Sequence, residues 1–167
     1  MHTSLLVFLK DKTHLLLMII PLWFVHSDLQ SQSNPYSHGK LVITFTDIRS
    51  DAGQIAMGLY NQADQWTDHP TAEFKWSKEN LKNGRMTVVI DSLPRTIYAC
   101  AVLDDEDMNQ EMNYSFGLPK EGWGMSTNPS FLKLKKPTFN EVSFDLDAAA
   151  VKFEIKMNYL RKNKKVD

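Results

Sequence analysis

The segment "DDEDMNQEMN" at residues 104–113 carries the densest chemistry in the chain. Asp105, Asp107, Asn109 and Asn113 occupy the first, third, fifth and ninth places of a calcium-loop spacing. That spacing works because alternate oxygens of a tight loop converge on one hard cation. Two determinants of such a loop are replaced. Gln110 stands where a glycine makes the sharp turn, and Phe116 stands where a bidentate glutamate closes the site; Glu111 still offers its backbone carbonyl. The residues therefore read as a solvated acidic loop with no cofactor, and calcium on Asp105, Asp107 and Asn109 is the alternative. Asp104, Asp105, Glu106, Asp107 and Glu121 also supply carboxylates for two-acid hydrolysis, in which one carboxyl is held protonated while the other stays ionised. No residue is assigned a catalytic role. After residue 27 the only histidines are His38 and His69, and no Gly-x-Ser-x-Gly, His-Glu-x-x-His or phosphate-loop motif is present.

A second stretch, "FGLPKEGWGMSTNPS" at 116–130, combines three glycines, two prolines and Trp123. Glycine permits positive φ, proline stiffens the path, and tryptophan carries a large amphipathic surface. Such a loop presents its ring to a ligand or presses it across the open end of a core, and the inward cap is the expectation. Asp104, Asp105, Asp107, Asn109, Asn113, Glu121 and Trp123 together make the candidate binding surface. Cys100 lies mid-strand beside Tyr98 and Val102, where a free cysteine behaves as a small buried hydrophobe.

These loops hang on strands. Leu41, Ile43 and Phe45 alternate with Val42, Thr44 and Thr46, and Ile55, Met57 and Leu59 answer them after "SDAG", so the two runs read as a hairpin. Asn83-Gly84 lies between a weak run at Phe74 and Trp76 and an alternating one at Met86, Val88 and Ile90, a second hairpin signal. The run at 97–103 is apolar on both faces and should be a central strand. Val142, Phe144 and Leu146, then Val151 to Tyr159, supply two closing strands. No segment after residue 39 holds an apolar 3.6-residue period for the length of an ordinary helix. About seven short runs punctuated by turns predict an all-β fold, a single antiparallel β-sandwich.

The N-terminus differs in kind. Lys10 and Lys12 precede "LLLMIIPLWFV" (15–25) and "VHS", the build of an export signal cleaved after Ser27. Eleven apolar residues containing a proline are too few for a bilayer span, which needs about 20. The division expected is a signal peptide at 1–27, a polar linker at 28–39, the sandwich at 40–160 and a basic tail at 161–167. Removing 1–27 takes two lysines and one aspartate from 19 basic and 20 acidic side chains, leaving 17 and 19, a formal charge of −2. Near-neutral charge, with the densest basic cluster confined to the tail "RKNKK", argues against a nucleic-acid partner. One cysteine excludes an internal disulfide framework.

Three passages are similar to a bacterial family, domain of unknown function 2141: "TDIRSDAGQIAMGLYN" (46–61), "DSLPRTIYACAVLDDED" (91–107) and "FGLPKEGWGMSTN" (116–128). The resemblance implies small proteins, usually with a signal peptide, and a sandwich of the transthyretin-like or immunoglobulin-like kind; it implies no activity. Where the family's central loop reads His-Asp-x-Asn-x-Asn-Gly-x-x-Asp, this chain keeps Asp105 and Asn109, has Asp104 in place of the histidine and Asp107 in place of the first asparagine, and places Gln110 at the glycine and Asn113 at the last aspartate. The functional expectation is an exported, monomeric, non-catalytic module in the periplasm or secreted fraction, whose 104–128 loops recognise an envelope protein or a small ligand. The alternative is a calcium-binding or carboxylate-dependent enzyme on the same loops.

Overall fold

Alternation of side chains along a strand delivers every second residue to one face, and two such faces close on each other here. The structure is a computed structural model that describes residues 37–130 and 135–160. The signal segment 1–27, linker residues 28–36 and the tail 161–167 lie outside the described residues. In chain order the elements are β1 (His38–Thr46), β2 (Gln54–Tyr60), a 3-10 turn (Ala63–Gln65), β3 (Ala72–Ser77), β4 (Met86–Pro94), β5 (Ile97–Asp105), β6 (Tyr114–Ser115), β7 (Leu118–Pro119), β8 (Gly122–Met125), α1 (Phe139–Val142), β9 (Phe144–Asp145) and β10 (Ala150–Lys156). The fold is all-β.

One sheet has the order β10-β1-β4; the other runs β3-β2-β5-β8, with β9 also paired to β5. Leu41, Ile43 and Phe45 of β1, Met86, Val88 and Ile90 of β4, and Ile155 of β10 face Ile55, Met57 and Leu59 of β2 and Tyr98, Cys100 and Val102 of β5 in one buried cluster. Cys100 is fully buried, and burial pushes its thiol pKa well above the ordinary value. β5 is central, as its two apolar faces require. Its outward face at Ala99 lies under a second cluster in which Tyr60 meets Trp66 edge-on at 4.9 Å, and the Trp66 indole donates to the Pro137 carbonyl at 2.8 Å.

Both expected hairpins are corrected. β1 and β2 lie in different sheets, so their apolar residues face one another across the core instead of lying side by side. Period two fits either arrangement. Asn83 and Gly84 do form a tight turn, at φ 51° and 72°, closed by paired Lys82–Arg85 backbone hydrogen bonds of 3.0 and 2.9 Å. That turn carries the chain from one sheet to the other, because β3 and β4 do not pair. β10 runs parallel to β1, from Lys40 opposite Ala150 to Thr46 opposite Lys156, a direction that side-chain alternation does not encode. Val142 closes a one-turn helix instead of opening a strand: Thr138 and Glu141 form a reciprocal capping box that starts α1.

Candidate functional site

Asp104 and Asp105 are neighbours at the end of β5, and the pleat sends them to opposite faces. Both are completely buried. Asp104 turns into the end of the sandwich, where the Lys78 ammonium meets Oδ1 and the Tyr159 hydroxyl donates to Oδ2. Lys78 is itself buried and also donates to the carbonyls of Ser50 (3.3 Å) and Ala52 (2.5 Å). The Arg49 guanidinium stacks 4.6 Å from the Tyr159 ring centre and forks onto Glu106, with Nε to Oε1 at 2.8 Å and Nη2 to Oε2 at 2.5 Å. Burial raises the Asp104 pKa, and Lys78 and Tyr159 pull it partway back. The Arg49 hydrogen bonds hold Glu106 below its ordinary range against a smaller opposing effect of burial. Burial, reinforced by Asp104, raises the Tyr159 hydroxyl.

Close approach makes this network possible. A Cβ on Gly122 would lie 2.2 Å from the Tyr159 ring, so only glycine lets β8 pass that close. Lys78, Arg49 and Tyr159 were not marked as functional by the sequence. "WSKEN" reads as an ordinary surface lysine, and nothing local reveals that its ammonium enters the core.

Asp105 has different company. Its Oδ2 accepts from Gln54 Nε2 at 2.7 Å and from the Gln110 backbone amide at 3.1 Å, whereas its Oδ1, equally buried, has no hydrogen-bond partner among the described residues. Asp107 and Glu121 stand beside it. One carboxylate oxygen from each of Asp105, Asp107 and Glu121 lies within 4.8 Å of the others. Among the described residues no lysine or arginine forms an ion pair with any of the three.

Glu121 reaches the cluster because the chain folds back on itself after the acidic loop. β6 and β7 pair through a two-residue turn, Phe116 at φ 52° and Gly117 at φ 76°, which returns the chain to β8. Glu121, buried, then accepts the Glu106 amide at 3.0 Å on Oε1 and the Asn113 amide at 3.1 Å on Oε2, holding both ends of the loop. Asn113 Nδ2 donates to Asp107 Oδ2 at 2.7 Å, and Asn109 Nδ2 to the same oxygen at 3.2 Å.

The geometry shows what stands at the two replaced calcium-loop positions. Gln110 adopts the left-handed conformation itself, φ 67°, and its amide caps the Asp105 carboxylate, so the sharp turn is made without glycine. Phe116 is carried out to the hairpin tip, and Glu121 stands near the carboxylates in its stead. Three carboxylates at this separation, one with a buried unpartnered oxygen, match the donor chemistry of a hard divalent cation.

Residues 43–154 match the family described as "Uncharacterized protein conserved in bacteria (DUF2141)". The chain belongs to this family. No curated protein and no solved structure matches it. The matched span of this DUF2141 protein holds every carboxylate of the cluster, whereas Tyr159 lies beyond it.

Trp123 is not an inward cap. On β8 the residues facing the core are Gly122 and Gly124, paired with Asp104 and Val102 of β5; Trp123, paired with Leu103, lies on the outer face and is half-buried. A Cβ on Gly124 would come 2.6 Å from Ile155, so the glycines let β8 lie close over β10 and turn the ring outward. In this DUF2141 chain the ring lines an open trough of about 660 Å³, together with Ala56, Gly58, Ala101, Met112 and Tyr114.

Proposed function

We propose that the chain is an exported, monomeric, non-catalytic binding module whose 104–128 loops are organised by a divalent cation of the calcium type. The reading is carried by the fully buried Asp105, whose Oδ1 has no hydrogen-bond partner among the described residues and which gathers with Asp107 and Glu121 within 4.8 Å. An uncompensated buried carboxylate is costly, and a cation supplies the missing charge. Asp105, Asp107 and Glu121 are the anionic ligands; Asn109 and Asn113 orient Asp107. Bound there, the cation ties the end of β5 to the start of β8. Export rests on the lysines, apolar core and Val-His-Ser site of residues 1–27, and places the protein in the periplasm or the secreted fraction, where free calcium reaches it.

A non-catalytic role is favoured by the state of the acids. Asp104, the carboxyl whose pKa is raised, is fully buried among the described residues, paired with Lys78 and hydrogen-bonded by Tyr159. Calcium titration followed by calorimetry tests the reading. One saturable site is expected in the parent, and Asp105→Asn should weaken it at least tenfold. A parent that takes up no calcium at millimolar concentration contradicts it.

A further inference from the structure

The β6–β7 hairpin carries at its tip a side chain that neither core packing nor cation binding requires. Phe116 is 99% exposed, and its φ is +52°. A bulky residue at positive φ is a backbone outlier that glycine or asparagine would avoid, and an exposed phenyl ring leaves its whole apolar area in water. Both costs fall on one residue at the tip of a projecting turn. The two-residue turn imposes the positive φ on this position, but nothing in the fold calls for a phenyl ring there. Tyr114 and Leu118, 64% and 49% exposed, flank the tip, and Met108, 61% exposed, stands at φ +64° in the acidic loop.

We infer that this hairpin is a membrane-insertion element, in which Phe116 enters the headgroup region of an anionic phospholipid surface when the neighbouring cation is bound; this rests on the cation reading above. The size of the patch selects the partner. The hairpin spans residues 114–119, whereas a stable protein interface draws on about 20–30 residues a side. A bilayer interface accepts a few apolar side chains on a small projection. Charge selects the condition. Asp107 and Glu111, both exposed, repel anionic headgroups until a cation offsets them, and exposed Lys120 at the hairpin base favours those headgroups. A calcium ion takes six to eight oxygens, and Asp105, Asp107 and Glu121 bring one each within 4.8 Å of the others, so lipid phosphate can complete its shell.

Vesicle co-sedimentation of the exported, processed protein tests this, with phosphatidylglycerol–phosphatidylcholine or pure phosphatidylcholine vesicles, in calcium or in chelator. Thermal melts are run on the same samples. The parent should sediment with the anionic vesicles several-fold more in calcium than in chelator. Phe116→Ser should lower that calcium-dependent fraction about tenfold while keeping the calcium-induced rise in melting temperature. Equal sedimentation in calcium and chelator overturns the proposal, as does parental sedimentation by Phe116→Ser. Calcium-driven self-association without vesicle binding also overturns it, in favour of a protein partner. If calcium leaves the parent's melt unshifted, the cation reading has failed and the insertion element falls with it; a shifted melt without vesicle binding rejects the insertion element alone.

Discussion

Two carboxylates one residue apart divide the molecule's charged end into regions of opposite kind. Around Asp104 the counter-charge comes from within the protein: Lys78 forms an ion pair with Oδ1, the Tyr159 hydroxyl donates to Oδ2, Arg49 pairs with Glu106, and Gly122 makes room for the Tyr159 ring. Around Asp105 none comes, since Glu121 and Asp107 add negative charge and no lysine or arginine of the described residues forms an ion pair with them. Burial alone therefore does not mark a functional group. What separates the two regions is whether the chain supplies the counter-charge, and where it does not, a ligand is called for.

The Asp104 region is most sensitive at Lys78. Lys78→Met strands Asp104 as a buried charge and should cost about 3–5 kcal/mol, read as a loss in denaturant midpoint with unchanged slope. The effect should be the same in calcium and in chelator. A cost under about 1 kcal/mol means that Lys78 does not supply the counter-charge in the way described.

A smaller effect sharpens the contrast within the Asp104 region. Arg49 lowers the Glu106 pKa below its usual 4.5, so this group stabilises the fold above that value and the gain is lost as pH falls through the lowered pKa. Asp104 works in the other direction. Its pKa is raised from 3.8, so it disfavours the fold as pH climbs through the raised value. Glu106→Gln should therefore flatten the acid limb of the stability profile below about pH 4.5, measured by chemical denaturation across pH. An acid limb as steep as the parent's contradicts the assignment of Glu106.

The parts of this molecule that follow from local pattern were legible. Alternation marked the strands, and the two apolar faces of 97–103 placed β5 at the centre, because burial on both sides leaves no polar position. Partnership was not legible. Leu41, Ile43 and Phe45 need only an apolar face opposite them, which a paired strand or a facing sheet provides equally well, so β1 and β2 read as a hairpin although they belong to separate sheets. The same limit applied to the loops. Asp105, Asp107 and Asn109 showed a cation spacing, but Glu121 joins them only through the β6–β7 turn, and Gln110 gave no sign that it would take a glycine's conformation. Trp123 read as a cap because the stretch looked like a loop. Once Gly122–Met125 forms a strand, the flanking glycines take the inward positions and the ring must face out.

The Asp105 region is tested most directly by thermal melts of the parent and of Asp105→Asn, each in chelator and in millimolar calcium. A ligand that binds only the native state stabilises it by mass action, about 2.7 kcal/mol at a hundredfold excess over the dissociation constant. The parent should rise by several degrees in calcium. Asp105→Asn, relieved of one buried charge, should melt at or above the parent in chelator and gain nothing from calcium. A parent melt that calcium does not move, or an Asp105→Asn variant that gains as much as the parent, would contradict the claim that Asp105, Asp107 and Glu121 form a cation site.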